Sequence, residues 1–174
     1  MIGLRRGVVE LKPHNTKWKE LFKEESHLIT SAISNFLVDI EHIGSTAIPD
    51  IVAKPIIDIA VAIDSLDNIE KIIKPLEQIG YTYRGEQGIP NRHLFVKGGE
   101  EFRTHHLHVM HKTHYEWKKH IAFRNYLLNH PEEAHQYSEL KKGLAVKYRE
   151  DRGTYTESKD EFISGILKKA MKST

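Results

Sequence analysis

The sequence predicts an α/β (α+β) domain: a mixed β-sheet with an early flanking helix and a helical C-terminal tail. Three observations carry this. Residues 55–63 are apolar except for Asp58, the pattern of a strand covered on both faces. Trp18, Leu21, Phe22, Glu25, Leu28, Ile29, Ala32, Ile33 and Phe36 recur with a helical period. From Thr113 onward the periodic segments are all helical. The chain of 174 residues reads as one domain over 1–174, with a sheet core at 1–111 and a helical extension at 112–174. That length buries a sizeable core without disulfide or metal staples.

The elements follow in order. Val8-Val9-Glu10-Leu11 reads as a short strand stopped by Lys12-Pro13, and Asn15 or Thr16 caps the first helix. Residues 37–43 alternate apolar and polar, which predicts a strand. Residues 47–52 read as a short helical turn before the Asp58 strand. Asp67 with Glu70 makes a capping box for a helix that buries Ile69, Ile72, Ile73, Leu76 and Ile79. Pro75 should kink it and Gly80 should end it. Residues 81–84 and 92–96 read as strands around the loop at 85–90. Gly98-Gly99 signals a hairpin, and residues 102–110 form the next strand. Thr113 with Glu116 caps a helix that buries Trp117, Ile121, Leu127 and Leu128. Pro131 opens another, burying Ala134, Tyr137, Leu140, Leu144 and Tyr148. Ser158 with Glu161 caps the last, which buries Phe162, Ile163, Ile166 and Ala170.

Composition narrows the function. Lys and Arg number 26 against 24 Asp and Glu, and the signs are mixed along the chain. This near balance argues against nucleic acid as a partner, which usually calls for a strongly basic face. There is no cysteine, so disulfides and thiolate metal sites are excluded. The opening Met-Ile-Gly-Leu-Arg-Arg lacks an apolar signal core, and no apolar run approaches the roughly 18 residues of a membrane span. The expectation is a cytoplasmic protein with no membrane contact. Six of the 12 histidines fall between His105 and His120.

Several residues could carry chemistry. Gly44-Ser45 is a turn whose backbone can approach phosphate oxygens, although Ser45 or Thr46 can equally serve as an N-cap. Asp58 follows 13 residues after Ser45, a lone charge in an Ile/Val strand, which demands an ion pair or a metal. Lys54 could pair with it, reach a phosphate or face solvent. His106 and His108 share one face of a strand because the side-chain period is two, whereas His105 takes the other face. Two imidazoles on one face could bind a transition metal, or phosphate when protonated, and if this strand lies beside the Asp58 strand the three groups converge. Arg92 offers a fork of donors suited to phosphate, or a surface ion pair. Arg124, on a helical apolar stripe where a charge needs a reason, could reach the sheet face, and Tyr155 and Lys159 could share a surface over the site.

The run from Ile43-Gly-Ser-Thr-Ala-Ile-Pro to Lys54-Pro-Ile-Ile-Asp58-Ile resembles the signature of the GrpB family, within the nucleotidyltransferase superfamily. Arg92-His-Leu-Phe95, Thr104-His-His-Leu-His-Val109, Phe123-Arg-Asn-Tyr-Leu-Leu-Asn-His-Pro131 and Tyr155-Thr-Glu-Ser-Lys-Asp-Glu-Phe-Ile163 are similar to that family too, so the resemblance covers nearly the whole chain. It implies a nucleotidyltransferase-like sheet in which Gly44 and Ser45 hold a triphosphate and Asp58 is one acid of a metal-binding pair. GrpB-like domains fused to dephospho-CoA kinase point to nucleotide or coenzyme chemistry. The positions of the second acid hold Ile56 and Ala60, and a later third acid is replaced by His106 and His108. That departure suits one softer metal better than two magnesium ions.

The resulting expectation is a cleft that binds a nucleotide or other phosphorylated small molecule. Asp58 would be catalytic, Gly44, Ser45, Lys54 and Arg92 would grip phosphate, and Asp58, His106 and His108 would hold a divalent metal. Magnesium, manganese and zinc are the candidates for that metal. Three activities compete: metal-dependent nucleotidyl transfer from an NTP, an inactive nucleotide- or phosphate-binding module, and a metal-dependent phosphohydrolase using the His-x-His strand.

Overall fold

The apolar run at 57–63 organises the molecule, because a strand with no polar face must be covered on both sides. The structure, a computed structural model, describes residues 2–172, so the expected domain ends at 1 and 174 lie outside the described residues. In chain order the elements are β1 (Leu4–Arg5), α1 (Lys17–Ile33), β2 (Leu37–Ile43), β3 (Ile57–Ile63), α2 (Ile69–Gln78), β4 (Tyr81–Tyr83), β5 (His93–Lys97), β6 (Phe102–Arg103), β7 (His105–His111), α3 (Tyr115–Asn129), α4 (Pro131–Lys147), α5 (Arg152–Glu157) and α6 (Asp160–Lys172). This is a mixed α/β fold, as the sequence predicts.

The main sheet has the order β2-β3-β7-β5-β4. Only β3 and β7 run parallel, and the other pairings are antiparallel. The parallel pair requires a long crossover, and residues 64–104, which include α2, supply it. One face of β3 presents Ile57, Ile59, Val61 and Ile63 to α1 and α2, where Trp18, Ile29, Ile33, Ile72 and Leu76 complete the main core. The opposite face carries Ala60 and Ala62, which pack with Ile43, Met110 and Trp117 of α3. These two small residues leave room for the helical tail on that face.

Several boundaries differ from expectation. Residues 8–11 are not a strand: Lys12 makes an isolated bridge to Ala53, and the N-terminal strand is instead Leu4–Arg5, paired with Phe102–Arg103. The helical turn falls at Ser45–Ala47 as a 3-10 turn, ahead of the expected 47–52. A 3-10 turn at Leu66–Asn68 precedes α2, and Ser65 rather than Asp67 accepts the capping hydrogen bond. His114, not Thr113, caps α3 through its ring, which accepts from the Glu116 amide. The expected strand 102–110 divides into β6 and β7. Helix α4 buries Ala134, Tyr137, Ser138 and Lys141, whereas Leu140 and Leu144 are only half-buried. Among the described residues no helix is long and apolar enough to cross a membrane.

Candidate functional site

Strand register assembles the first half of the site. In the parallel β3–β7 pair Asp58 lies opposite His106 and Ala60 opposite His108, so all three polar side chains share the face away from α1. His106 Nδ1 is 3.4 Å and His108 Nε2 3.9 Å from Asp58 Oδ1. Burial alone would raise the Asp58 carboxyl, but the two imidazoles outweigh it and hold the group well below the usual carboxylate range. The β2 strand ends at Ile43, opposite Asp58, and the chain turns at Gly44 with φ of 74°. A Cβ at Gly44 would sit 2.7 Å from Asp58 Oδ2, so glycine is required for both the angle and the approach.

The helical tail supplies the second half. A cavity of about 340 Å³ lies between the sheet end and the tail. Gly44, Ser45, Lys54, Asp58 and His106 line it from the sheet side. Lys119, His120, Lys141, Arg152 and Lys159 line it from the tail, with Phe123, Tyr137 and Tyr155 as aromatic walls. Lysine or arginine contributes five of these groups, while Asp58 and Asp160 are the carboxylates. Lys119 is 3.4 Å from Glu116, but among the described residues Lys54, Lys141, Arg152 and Lys159 form no ion pair. Aromatic faces take that place. The Tyr155 ring lies 4.6 Å from Lys159 Nζ and 5.7 Å from Lys54 Nζ, and the Tyr137 ring lies 4.6 Å from Lys141 Nζ.

This crowding disfavours the charged lysines. Burial, then the neighbouring Arg152 and Lys159, pulls Lys54 down to about 7. Burial pulls Lys159 down to about 8, against the attraction of Asp58. Lys141, 2% exposed, is driven well below its ordinary value by burial and by Lys159 and Lys54. Its Nζ is 2.8 Å from Ser45 Oγ and donates to the Val52 carbonyl.

The fit to a metal rests on the donor set. Arg92 donates to His108 Nδ1 at 3.0 Å, which leaves the ring proton on Nε2, the nitrogen that faces Asp58. A protonated Nε2 has no lone pair for a cation. Among the described residues no group of three or more His, Cys, Asp or Glu side chains is placed to hold a metal ion. Asp58, His106 and His108 therefore do not fit a resident metal, and the surrounding lysines favour an anion.

Of the residues singled out from sequence, the cavity wall brings together Gly44, Ser45, Lys54, Asp58 and His106. His108 is not part of that wall and reaches it through Asp58. Arg92 does not face the cavity: it is 7% exposed, and besides His108 its guanidinium donates to the Glu86 carbonyl at 3.0 Å. It is a positioning residue for His108 because the His93–Lys97 strand begins one residue later and carries it over β7. Arg124 does reach the sheet, donating to Glu41 at 2.6 Å and to the His42 carbonyl at 2.9 Å. Sequence reasoning missed Lys141 and Arg152. A signal for Lys141 existed: with Ala134, Tyr137 and Ser138 it completes an i, i+3, i+4, i+7 stripe, and a lysine on a buried stripe needs a reason.

Comparison with known proteins agrees with this geometry at the level of fold and family. The family model described as GrpB protein matches residues 8–169. The glutamate-rich protein GrpB of Alkalihalophilus pseudofirmus is 38% identical over 171 residues, covering 96% of this chain and 98% of that protein. The UPF0157 protein YqkA of Bacillus subtilis is 39% identical over 155 residues, covering 89% of this chain but 45% of YqkA, so the chain spans less than half of that relative. The crystal structure of conserved protein GrpB from Enterococcus faecalis superposes with a TM-score of 0.88 at 36% identity, covering 94% of this chain and 98% of that one.

Proposed function

We propose, for a chain that belongs to the GrpB family, that the cavity between sheet and tail binds a nucleotide or another phosphorylated small molecule. One observation carries this reading: five lysine and arginine side chains meet two carboxylates around about 340 Å³, and four of the five have no ion-pair partner among the described residues. Cations buried without counter-ions are costly, and a polyanion would remove that cost. The cavity volume suits a small molecule rather than a polymer. Phe123, half-buried in the cavity wall, offers an apolar surface for a base or another flat group.

The reaction class proposed is nucleotidyl transfer from an NTP to an acceptor. Ser45 and Lys54 would hold phosphates on the sheet side and Arg152 and Lys159 on the tail side. A magnesium or manganese ion that enters with the phosphates would find the Asp58 carboxylate beside Gly44. A second reading, an inactive binding module, is favoured by Ile56 and Ala60: both are buried and apolar at the positions where a second acid would complete a metal pair. Isothermal titration with each of the four common NTPs, with and without magnesium or manganese, tests binding. Absence of heat at protein concentrations able to detect millimolar affinity removes both readings. Mass spectrometry of the ligand after long incubation separates them: pyrophosphate release supports transfer, and unchanged ligand supports the module.

A further inference from the structure

The Ser45–Lys141 contact is unlike the rest of the cavity wall. Ser45 opens the 3-10 turn after Gly44 and is half-exposed to the cavity, so its hydroxyl is within reach of a ligand. Lys141 comes from the far side, on α4, and is 2% exposed. Its Nζ has two polar partners, Ser45 Oγ at 2.8 Å and the Val52 carbonyl. No carboxylate is among them. The groups facing it from packed elements are Tyr137 on its own helix, Lys54 on the segment before β3 and Lys159 on the segment before α6. Two of the three repel a positive charge.

A free amine satisfies this place well. It has two N–H donors and one lone pair: one N–H serves Val52, and the lone pair can accept the Ser45 proton. Burial without a counter-ion favours that uncharged form. Lys141 Nζ lies within hydrogen-bond distance of Ser45 Oγ at a cavity wall, where Tyr137 also interacts with the serine hydroxyl, and in its uncharged form the amine can turn from donor to acceptor of the Ser45 proton, the arrangement of a nucleophile and its base.

We infer that Ser45 is a nucleophile activated by Lys141, which attacks the phosphorus of a phosphoric anhydride held in the lysine-lined cavity. The choice of electrophile rests on the phosphate-binding reading above; the reactivity of Ser45 does not. In the step, a bond forms between Ser45 Oγ and phosphorus while the bridging P–O bond breaks. The Ser45 proton passes to Lys141 Nζ, and the leaving phosphate departs as an anion beside Lys54 and Lys159. For an NTP attacked at the α-phosphorus, pyrophosphate leaves and a nucleoside monophosphate remains on Ser45 as a phosphodiester. Water or an acceptor hydroxyl then attacks that phosphorus. Lys141 returns its proton to Ser45 as the oxygen departs, and the proton of the attacking hydroxyl goes to solvent. No oxidant or reductant is needed.

A fluorophosphonate probe tests this independently of nucleotide binding. Treat the intact protein with the probe, digest it, and locate the adduct by mass spectrometry. The expected result is modification at Ser45 at least about 100-fold faster than at the surface serines Ser26 and Ser34, the scale typical of an activated nucleophile. Lys141→Met should remove the advantage. Lys141→Arg, which keeps N–H donors but carries a fixed positive charge and so offers no base, should remove it too, and circular dichroism should establish that each variant is folded. If both variants unfold, the pH profile of the unmodified protein decides: the Ser45 rate should reach its plateau well below the ordinary lysine range, where an isolated serine is unreactive. Labelling of Ser45 no faster than Ser26, or equally fast labelling in folded Lys141→Arg, overturns the inference. NTP binding by titration with no Ser45 adduct would overturn it while leaving the binding reading intact. A Ser45 adduct with no NTP heat would do the reverse.

Discussion

The two faces of the central sheet treat buried charge in opposite ways. On the α1 side, Glu25 is 5% exposed and surrounded by partners: Tyr81 donates to it at 2.8 Å, Lys97 at 2.8 Å, and His105 lies 3.7 Å away. On the tail side, five basic side chains share a cavity and, among the described residues, four of them form no ion pair. The first group is closed, every charge answered within the chain. The second is open, and its lysines are pushed toward their neutral forms. Charge that serves the fold is paired on folding; charge left unpaired at the cavity is what the proposed anion would answer.

That contrast can be broken by substitution. Glu25→Ala should have the largest effect, because it leaves Lys97, Tyr81 and His105 facing an empty place. A loss of about 3 kcal/mol is expected in urea unfolding, reduced toward 2 by the partial exposure of Lys97. An unchanged midpoint would mean that this network is not structural. On the open face the sign should reverse. Lys54→Met removes a charge that has no counter-ion, so the melting temperature should rise by about 2–4 °C. The same change should weaken NTP binding about tenfold, close to 1.4 kcal/mol. A fall in both stability and affinity would show that Lys54 is paired in solution after all.

Acidity sharpens the comparison further. Unfolded lysine keeps its proton up to about 10.5, whereas folded Lys54 loses it near 7 and Lys159 near 8. Between these limits the unfolded chain binds more protons, so the two residues make the ligand-free protein more stable as pH rises from about 7 to 9. Thermal melts across that interval should climb by a few degrees, and Lys54→Met should flatten the climb. The smallest effect is in binding itself. A polyanion restores charge to these lysines, so titration at pH 8 in buffers of different ionisation enthalpy should reveal uptake of about one proton per ligand. Zero uptake would mean that the lysines are already charged before the ligand enters.

Much of this organisation is legible in the sequence, and the illegible part has a physical cause. The strands 37–43 and 57–63 are readable because period-two alternation and an unbroken apolar run are local signals. Asp58 stands out for the same reason, as the one charge in that run. Pairing of Leu4–Arg5 with Phe102–Arg103 is unreadable, since two-residue strands carry no period and the partner is nearly 100 residues away. The basic half of the cavity is hidden differently. A single lysine on a helix reads as solvated until the phase of that helix is known, and in α4 the phase was set by Leu140 and Leu144 instead of Ser138 and Lys141. Arg92 shows the converse: a residue whose chemistry suits phosphate is used to orient His108.

The division of labour between sheet and tail has a mechanical consequence. Ser45 and Asp58 belong to the sheet, while Lys119, Arg152 and Lys159 each ride on a different segment of the tail. An occupant touching both would rivet the two together, and the six-residue helix Arg152–Glu157 would feel the rivet first. Amide hydrogen exchange in that short helix then becomes a gauge of occupancy, slowing when the cavity is filled even if no backbone atom changes place.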